Sequence, residues 1–340
     1  MKPSYHPQLV NGTRGDPALY LEFMFERRAM LFDLGDLTRL PSRKILRIGD
    51  IFVSHTHMDH FIGFDHLLRI MVGRDKQISI FGPPGIIDRV AHKLAAYTWN
   101  LVENYEADFS LRVTEFHPDG ACRRARFRCR SGFQREELDS APSDDGVLLN
   151  EETFRVRCAV LDHKIPCLAF ALEERQHVNV WKNRLQERGL PTGPWLLALK
   201  KAVLRNDPDD TPIPIHWREQ GRSYESRAAL GELKRDILRI VPGQKIGYVV
   251  DTLYNEDNAR RIVDLVQGAD QLFIEAPFLQ RDAAHAAARY HLTAQQAGAL
   301  ARRAGVRQCI PFHFSARYAG DEAILMSEAQ TAFNGTDVLV

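Results

Sequence analysis

The chain has 340 residues, 44% of them hydrophobic, a formal net charge of +1 and five cysteines. That hydrophobic fraction supplies a large core, and the near-zero charge excludes a globally basic nucleic-acid binder, so any RNA-contacting surface is local. No apolar signal segment follows Met1-Lys2-Pro3-Ser4-Tyr5-His6, no run of 18 apolar residues occurs, and the cysteines form no C-x-x-C pair. These features predict a cytoplasmic protein with reduced thiols and no membrane span.

In chain order, residues 19–25 and 29–34 read as a hairpin through Glu26-Arg27-Arg28 that ends at Asp33-Leu34-Gly35. The apolar run Ile51-Phe52-Val53 ends a buried strand, so His55-Thr56-His57-Met58-Asp59-His60 emerges at its C-terminal edge. A tight loop there can aim His55 and His57 at one cation and Asp59 and His60 at a second. Imidazole nitrogen and carboxylate oxygen are donors that borderline divalent ions such as Zn²⁺ accept. A solvated, histidine-rich turn is the plainer alternative, and the position directly after a strand weighs against it.

Next, Ile78-Ser79-Ile80-Phe81 reads as a strand ending at Gly82-Pro83-Pro84-Gly85, with a helix over 86–98. Arg123, Arg124, Arg126, Arg128 and Arg130 surround Phe127. On a strand the last four share one face, and we expect a charged edge strand that resists edge-to-edge pairing. His163 follows the mostly apolar run Val156-Arg157-Cys158-Ala159-Val160-Leu161.

Residues 176–222 break the rhythm. A short charged helix over 178–188 leads through Gly189-Leu190-Pro191-Thr192-Gly193-Pro194 into a helix over 195–205, which carries Lys200, Lys201 and Arg205. A Pro/Asp-rich stretch over 207–214 follows. We expect an excursion inserted into one single domain, since about 45 residues bury too little surface to fold alone. Beyond it, Asp251 closes Ile246-Gly247-Tyr248-Val249-Val250, and helical periodicity fits 256–267, 283–290 and 293–304, the last with Thr293 as N-cap. His313 follows Gln308-Cys309-Ile310-Pro311-Phe312. A lone strand-end histidine is usually a satisfied surface or core group. Here three further strands each end in a metal-competent residue, and the recurrence shifts the odds. Strand, ligand and helix, repeated in both halves, predict an α/β (α+β) fold: a four-layer αββα sandwich with the metal site at one edge.

The segments HTHMDH, LDHKIPCLAF, YVVDT and PFHFSARY together resemble the metallo-β-lactamase superfamily. Glu275-Ala276-Pro277 with His291-Leu292-Thr293-Ala294, and the Gly-Pro element at Gly193-Pro194, resemble its ribonuclease Z branch over roughly residues 10–335. The resemblance implies two Zn²⁺ ions (Mn²⁺ or another divalent ion being possible): one on His55, His57 and His163, the other on Asp59, His60 and His313, with Asp251 bridging. Two cations about 3.5–4 Å apart lower the pKa of a shared water and stabilise phosphoryl charge. Asp59 would also orient the attacking group, and Glu275 with His291 would supply a proton to the departing ribose oxygen. The substrate implied is precursor tRNA, gripped by an arm including Gly193, Pro194, Lys200, Lys201 and Arg205, and the assembly implied is a homodimer.

Departures from the family pattern keep the substrate open. Asp251-Thr252 runs into Leu253-Tyr254 where the family usually has Arg, and Pro277 stands in place of its Thr. A hydrolase of a smaller phosphate or sulfate ester, or of a cyclic nucleotide, is one alternative. A noncatalytic tRNA-binding protein that keeps the fold is another, and a complete set of seven metal-ligand candidates argues against it.

Overall fold

The computed structural model describes residues 3–219 and 222–335. Its chain divides into two compact units. Leu149–Arg155 with Glu173–Gln244 make up the second, and the remainder makes up the first.

The first unit holds most of a sandwich of two sheets. One has eight strands in sequential order: Tyr5–Leu9, Leu19–Phe23, Ala29–Phe32, Ile48–Phe52, Gln77–Gly82, Ser110–Phe116, Cys122–Arg128 and Arg135–Leu138. Its four central strands, from Ala29–Phe32 to Ser110–Phe116, run parallel. In the other sheet, Lys245–Val249, Gln271–Glu275 and Cys309–Phe312 are parallel neighbours, continued by Pro166–Glu174, Phe154–Asp162 and Val147–Asn150.

The central strands are buried on both faces, which is why they read as unbroken apolar runs. In the first sheet, Leu31, Ile51, Val53 and Ile80 pack with Phe64, Leu67 and Leu68 of the helix Phe64–Met71 and with Ile86, Val90 and Leu94 of the helix Ile86–Ala95. The alternate residues point at the other sheet: Phe32 lies 5.7 Å, ring to ring, from both Phe170 and Tyr248, and Phe52 lies 5.7 Å from Phe170. In the second sheet, Leu272 and Ile274 pack with Ile262, Leu300 and Leu325 from the helices Glu256–Val266, Ala294–Arg303 and Glu322–Asn334. Helix, sheet, sheet, helix is the four-layer arrangement expected from the pattern. Among the described residues no helix is long and apolar enough to cross a membrane.

The arginine-rich strand departs from expectation. Cys122–Arg128 is paired on both sides, to Ser110–Phe116 and to Arg135–Leu138, so the sheet's edge is Arg135–Leu138. The arginines are drawn there by acidic neighbours: Arg126 makes a two-pronged bond to Glu136 (2.9 and 2.6 Å), and Arg128 Nε donates to Asp108 at 2.8 Å. Arg130 lies past the strand, in a 3₁₀ turn.

The second unit takes in the 176–222 excursion and has a core of its own, formed by Trp195, Leu199, Val203, Ile213, Ile215, Leu230, Leu233 and Ile237. Residues 178–180, expected as the start of a helix, belong to the strand Gln176–Val180, paired antiparallel with Leu238–Pro242, and the helix is Lys182–Glu187. The helix Trp195–Leu204 follows, and Pro212–Glu219 pairs with Arg222–Ala229.

Candidate metal centre and catalytic cleft

Parallel strands deliver their C-terminal residues to one edge, and the donor side chains gather there. His55 follows Ile48–Phe52, Asp251 follows Lys245–Val249, His313 follows Cys309–Phe312, and His163 follows Phe154–Asp162. His57 precedes the single-turn helix Met58–Phe61, and Asp59 and His60 lie within it. The structure brings together His55, His57, His163 and Asp251 in one group and Asp59, His60 and His313 in another, each with ligand atoms within 4.8 Å of one another. Asp251 faces both groups. Its Oδ2 lies 3.5 Å from His55 Nε2, 3.5 Å from His60 Nε2 and 3.3 Å from His163 Nε2, while Oδ1 lies 3.0 Å from His313 Nδ1.

The other ring nitrogen of several histidines is already committed. His60 Nδ1 donates to Asp33 Oδ2 (2.8 Å), His163 Nδ1 to the Tyr290 carbonyl (2.8 Å) and His55 Nδ1 to Ser54 Oγ (3.1 Å). Such outer contacts fix the tautomer and aim Nε2 inward. Asp33 also accepts from Ser54 N (2.6 Å), Ser54 Oγ (2.8 Å) and Tyr248 OH (3.0 Å). Asp33, Asp251, Tyr290 and His313 all have φ between +44° and +60°, a region costly for residues other than glycine and concentrated at functional sites.

Burial of unpaired polar atoms tests whether these residues fit a metal. Among the described residues, His55 Nε2 and His60 Nε2 are buried without a hydrogen-bond partner, and so are Asp251 Oδ1 and His313 Nδ1, which lie 3.0 Å apart without the alignment of a hydrogen bond. Such atoms are costly unless something binds them, and here they converge on one place with the donor chemistry of a divalent cation. The residues fit.

The charge balance points the same way. Burial, with the neighbouring His60, pushes His55 down to about 2, so its ring is neutral and ligand-ready. Burial opposes charging His60 and His313 too, yet the carboxylates around them, Asp251 foremost, hold both well above the ordinary histidine range. Burial likewise opposes ionising Asp251 and Asp59, but the adjacent histidines hold both below the usual carboxylate range. Asp251 and its neighbours thus make a field that favours positive charge at the centre.

Beside the donors lies a buried carboxyl–imidazole pair. Glu275 ends its strand with Oε2 accepting from His291 Nδ1 at 2.7 Å, while Oε1 accepts from Thr252 N and Leu292 N. Burial works against protonating His291, and Glu275 outweighs it, raising His291 above the ordinary value. A turn held by His291 N to Ala286 O (3.0 Å) and by the Thr293 capping box of the helix Ala294–Arg303 sets the ring's position. His291, His313 and Asp59 line a cleft of about 280 Å³ with Arg14, Asp16 and Phe278.

No family model matches the sequence. Ribonuclease Z from Deinococcus radiodurans is 30% identical over 308 residues, which cover 89% of this chain and 88% of the relative. The chain belongs to the ribonuclease Z family. Human tRNase Z, short form, at 23% identity, superposes with a TM-score of 0.54 over 92% of each chain. The metallo-β-lactamase fold protein YhfI from Bacillus subtilis superposes with a TM-score of 0.53 at 15% identity, over 97% of this chain and 94% of that one. The family's fold is therefore the metallo-β-lactamase sandwich described above.

The remaining expected residues of this ribonuclease Z-family chain lie in the second unit. Gly193 and Pro194 precede the helix Trp195–Leu204, whose first residue is buried with Nε1 donating to Pro191 O at 2.9 Å. Lys201 is exposed, Lys200 is half-buried with burial lowering its pKa, and Arg205 is paired with Asp207 at 2.6 Å. Asp33, Ser54, Tyr248, Thr252 and Tyr290 had no expected role. Asp33 carried a usable signal, since it ends an apolar strand as the expected ligands do.

Proposed function

We propose that the chain is a zinc-dependent endoribonuclease that removes the 3′ trailer of precursor tRNA. The observation that carries this is the meeting of two donor groups around Asp251, with the Glu275–His291 pair beside them, in a member of the ribonuclease Z family. His55, His57 and His163 would hold one ion, Asp59, His60 and His313 the other, and Asp251 would bridge them, as its position facing both groups supports. Nitrogen-rich donors with two carboxylates suit Zn²⁺, and Mn²⁺ fits the same set less closely. Two bound divalent cations supply Lewis acidity toward the phosphoryl oxygens and make water a nucleophile near neutral pH.

The chain's own residues do the rest. Asp59 has a half-exposed side chain that lines the cleft, where it orients the attacking water in line with the departing oxygen. Water's oxygen bonds to phosphorus as its proton passes to solvent, the P–O3′ bond breaks, and His291 delivers the proton that the ribose 3′-oxygen takes up. Glu275 holds the imidazole in the tautomer and charge state that can give that proton. Lys200, Lys201 and Arg205 with the Gly193-Pro194 turn would grip the body of the tRNA. The chain acts as a cytoplasmic homodimer in this proposal. Its five free cysteines are all buried, as suits a reducing compartment, and analytical ultracentrifugation tests the dimer.

Purified protein is assayed on precursor tRNA beside bis(p-nitrophenyl) phosphate, with metal analysis. Cleavage at the trailer junction and two ions per chain are expected, and Asp251→Ala should remove both activity and metal. Protein that hydrolyses only the small diester is the small-ester enzyme instead, and a single ion per chain after zinc supplementation sinks the dinuclear assignment.

A further inference from the structure

We infer that Arg14 is a substrate-binding residue that holds the phosphate next to the scissile one. The inference rests on the ribonuclease reading above. The cleft at the metal centre is walled on one side by the N-terminal loop at Arg14, Gly15 and Asp16, and on the other by Pro277, Phe278 and 314–316. At about 280 Å³ it lies just under the usual range of about 300–1,000 Å³ for ligand-binding pockets, so it takes the reacting group of a single strand and its immediate neighbour. Its charged lining besides the two histidines is Arg14, Asp16 and Asp59. An RNA strand crossing two carboxylates needs a fixed cation, and Arg14 is the one Lys or Arg among the described lining residues.

The loop is built to hold that cation in place. Asn11 Nδ2 donates to both Asp16 O (2.9 Å) and Asp36 O (2.8 Å), and Phe314 N, one residue past His313, donates to Thr13 O at 2.8 Å. A Cβ on Gly15 would come within 2.4 Å of Asn11 Cβ, so the loop closes on itself only with glycine there. Arg14 is half-exposed and rests against Glu322, Nη1 to Oε1 at 2.7 Å. A surface pair of this kind is weak, so a phosphate, with two oxygens for the guanidinium fork, can displace the carboxylate.

Wild-type, Arg14→Ala, Arg14→Lys and Glu322→Gln proteins are compared on precursor tRNA across a salt series and on bis(p-nitrophenyl) phosphate. Loss of one charge-assisted bond predicts a KM for RNA raised roughly ten- to a hundredfold in Arg14→Ala, with kcat changed far less. The slope of log KM against log salt should fall by about one phosphate contact, and the ratio of RNA to small-diester hydrolysis should fall by the KM factor. Arg14→Lys should recover part of the loss, and Glu322→Gln should lower KM or leave it. If Glu322→Gln raises KM as Arg14→Ala does, the pair is a structural tie and the inference falls. It falls equally if both substrates lose alike, since Arg14 would then act on the scissile phosphate, or if Arg14→Ala keeps its KM and salt slope. Wild-type protein that leaves precursor tRNA uncut overturns the functional reading itself.

Discussion

Asp33 shows how much of the candidate centre depends on a residue outside the proposed ligand sets. It is fully buried and accepts from a backbone N–H, a serine, a tyrosine and His60. Asp33→Asn keeps the shape and tolerates the φ of +59°, but its amide cannot accept all four bonds. We expect a loss of about 3 kcal/mol in denaturant unfolding, together with weaker metal retention at the group containing His60. Full stability and full metal content would show that the network is dispensable. His291 is tested by leaving group. His291→Ala should cut turnover on a ribose ester by roughly 10²–10⁴ at unchanged metal content, and cost far less on a nitrophenolate, which leaves without a proton. Equal losses on both substrates would make His291 structural. The two roles were unequally legible in the sequence. His291 stands near a helix start in a segment resembling a known family, whereas Asp33's partner Tyr248 is distant in sequence and meets it only once two sheets have packed.

At the scale of elements, local pattern succeeded where the cause was local. The parallel strands are continuous apolar runs, and the helix at 294 was marked by its cap: Thr293 Oγ1 accepts from Gln296 N, and Gln296 reciprocates. Thr293 Oγ1 also donates to Gln280 Oε1 at 2.6 Å. Thr293→Ala should therefore cost about 1–2 kcal/mol, at the upper end for a cap. It should also lower kcat while metal content stays, because the cap closes the turn that presents His291. A stability loss with kcat intact would separate the cap from the Glu275–His291 pair. Pattern failed where the cause was remote. Arg135-Glu136-Glu137-Leu138 has no strand-like composition, and it pairs where its Glu136 answers Arg126 of Cys122–Arg128. That unseen partner is what moved the arginine strand off the edge. Gln176–Val180 likewise depends on Leu238–Pro242, some sixty residues on, so its last three residues read together with the charged stretch 182–188 as one helix.

At the scale of the molecule, the chain carries two units with separate cores, and chemistry and tRNA binding are proposed to divide between them. Every proposed metal ligand and the Glu275–His291 pair belong to the first unit, while Gly193, Pro194, Lys200, Lys201 and Arg205 belong to the second. Deleting the helix Trp195–Leu204 would strip Trp195, Leu199 and Val203 from the second core and confuse binding with unfolding. Charge changes avoid this: Lys201 is exposed and Arg205 makes a surface pair with Asp207. The double variant Lys201→Glu, Arg205→Glu should fold with unchanged thermal stability to within about 1 kcal/mol, since surface pairs contribute little. Its affinity for precursor tRNA should fall by roughly tenfold or more at low salt, and the salt dependence of binding should flatten by about two phosphate contacts. Hydrolysis of precursor tRNA relative to bis(p-nitrophenyl) phosphate should fall by a similar factor, because a small diester carries no further phosphate for these side chains to bind. Filter binding across a salt series reads all of this out. A variant that binds and cuts precursor tRNA as the wild type does would show that these side chains grip no RNA, and would shift the weight of recognition to the cleft and its Arg14 wall.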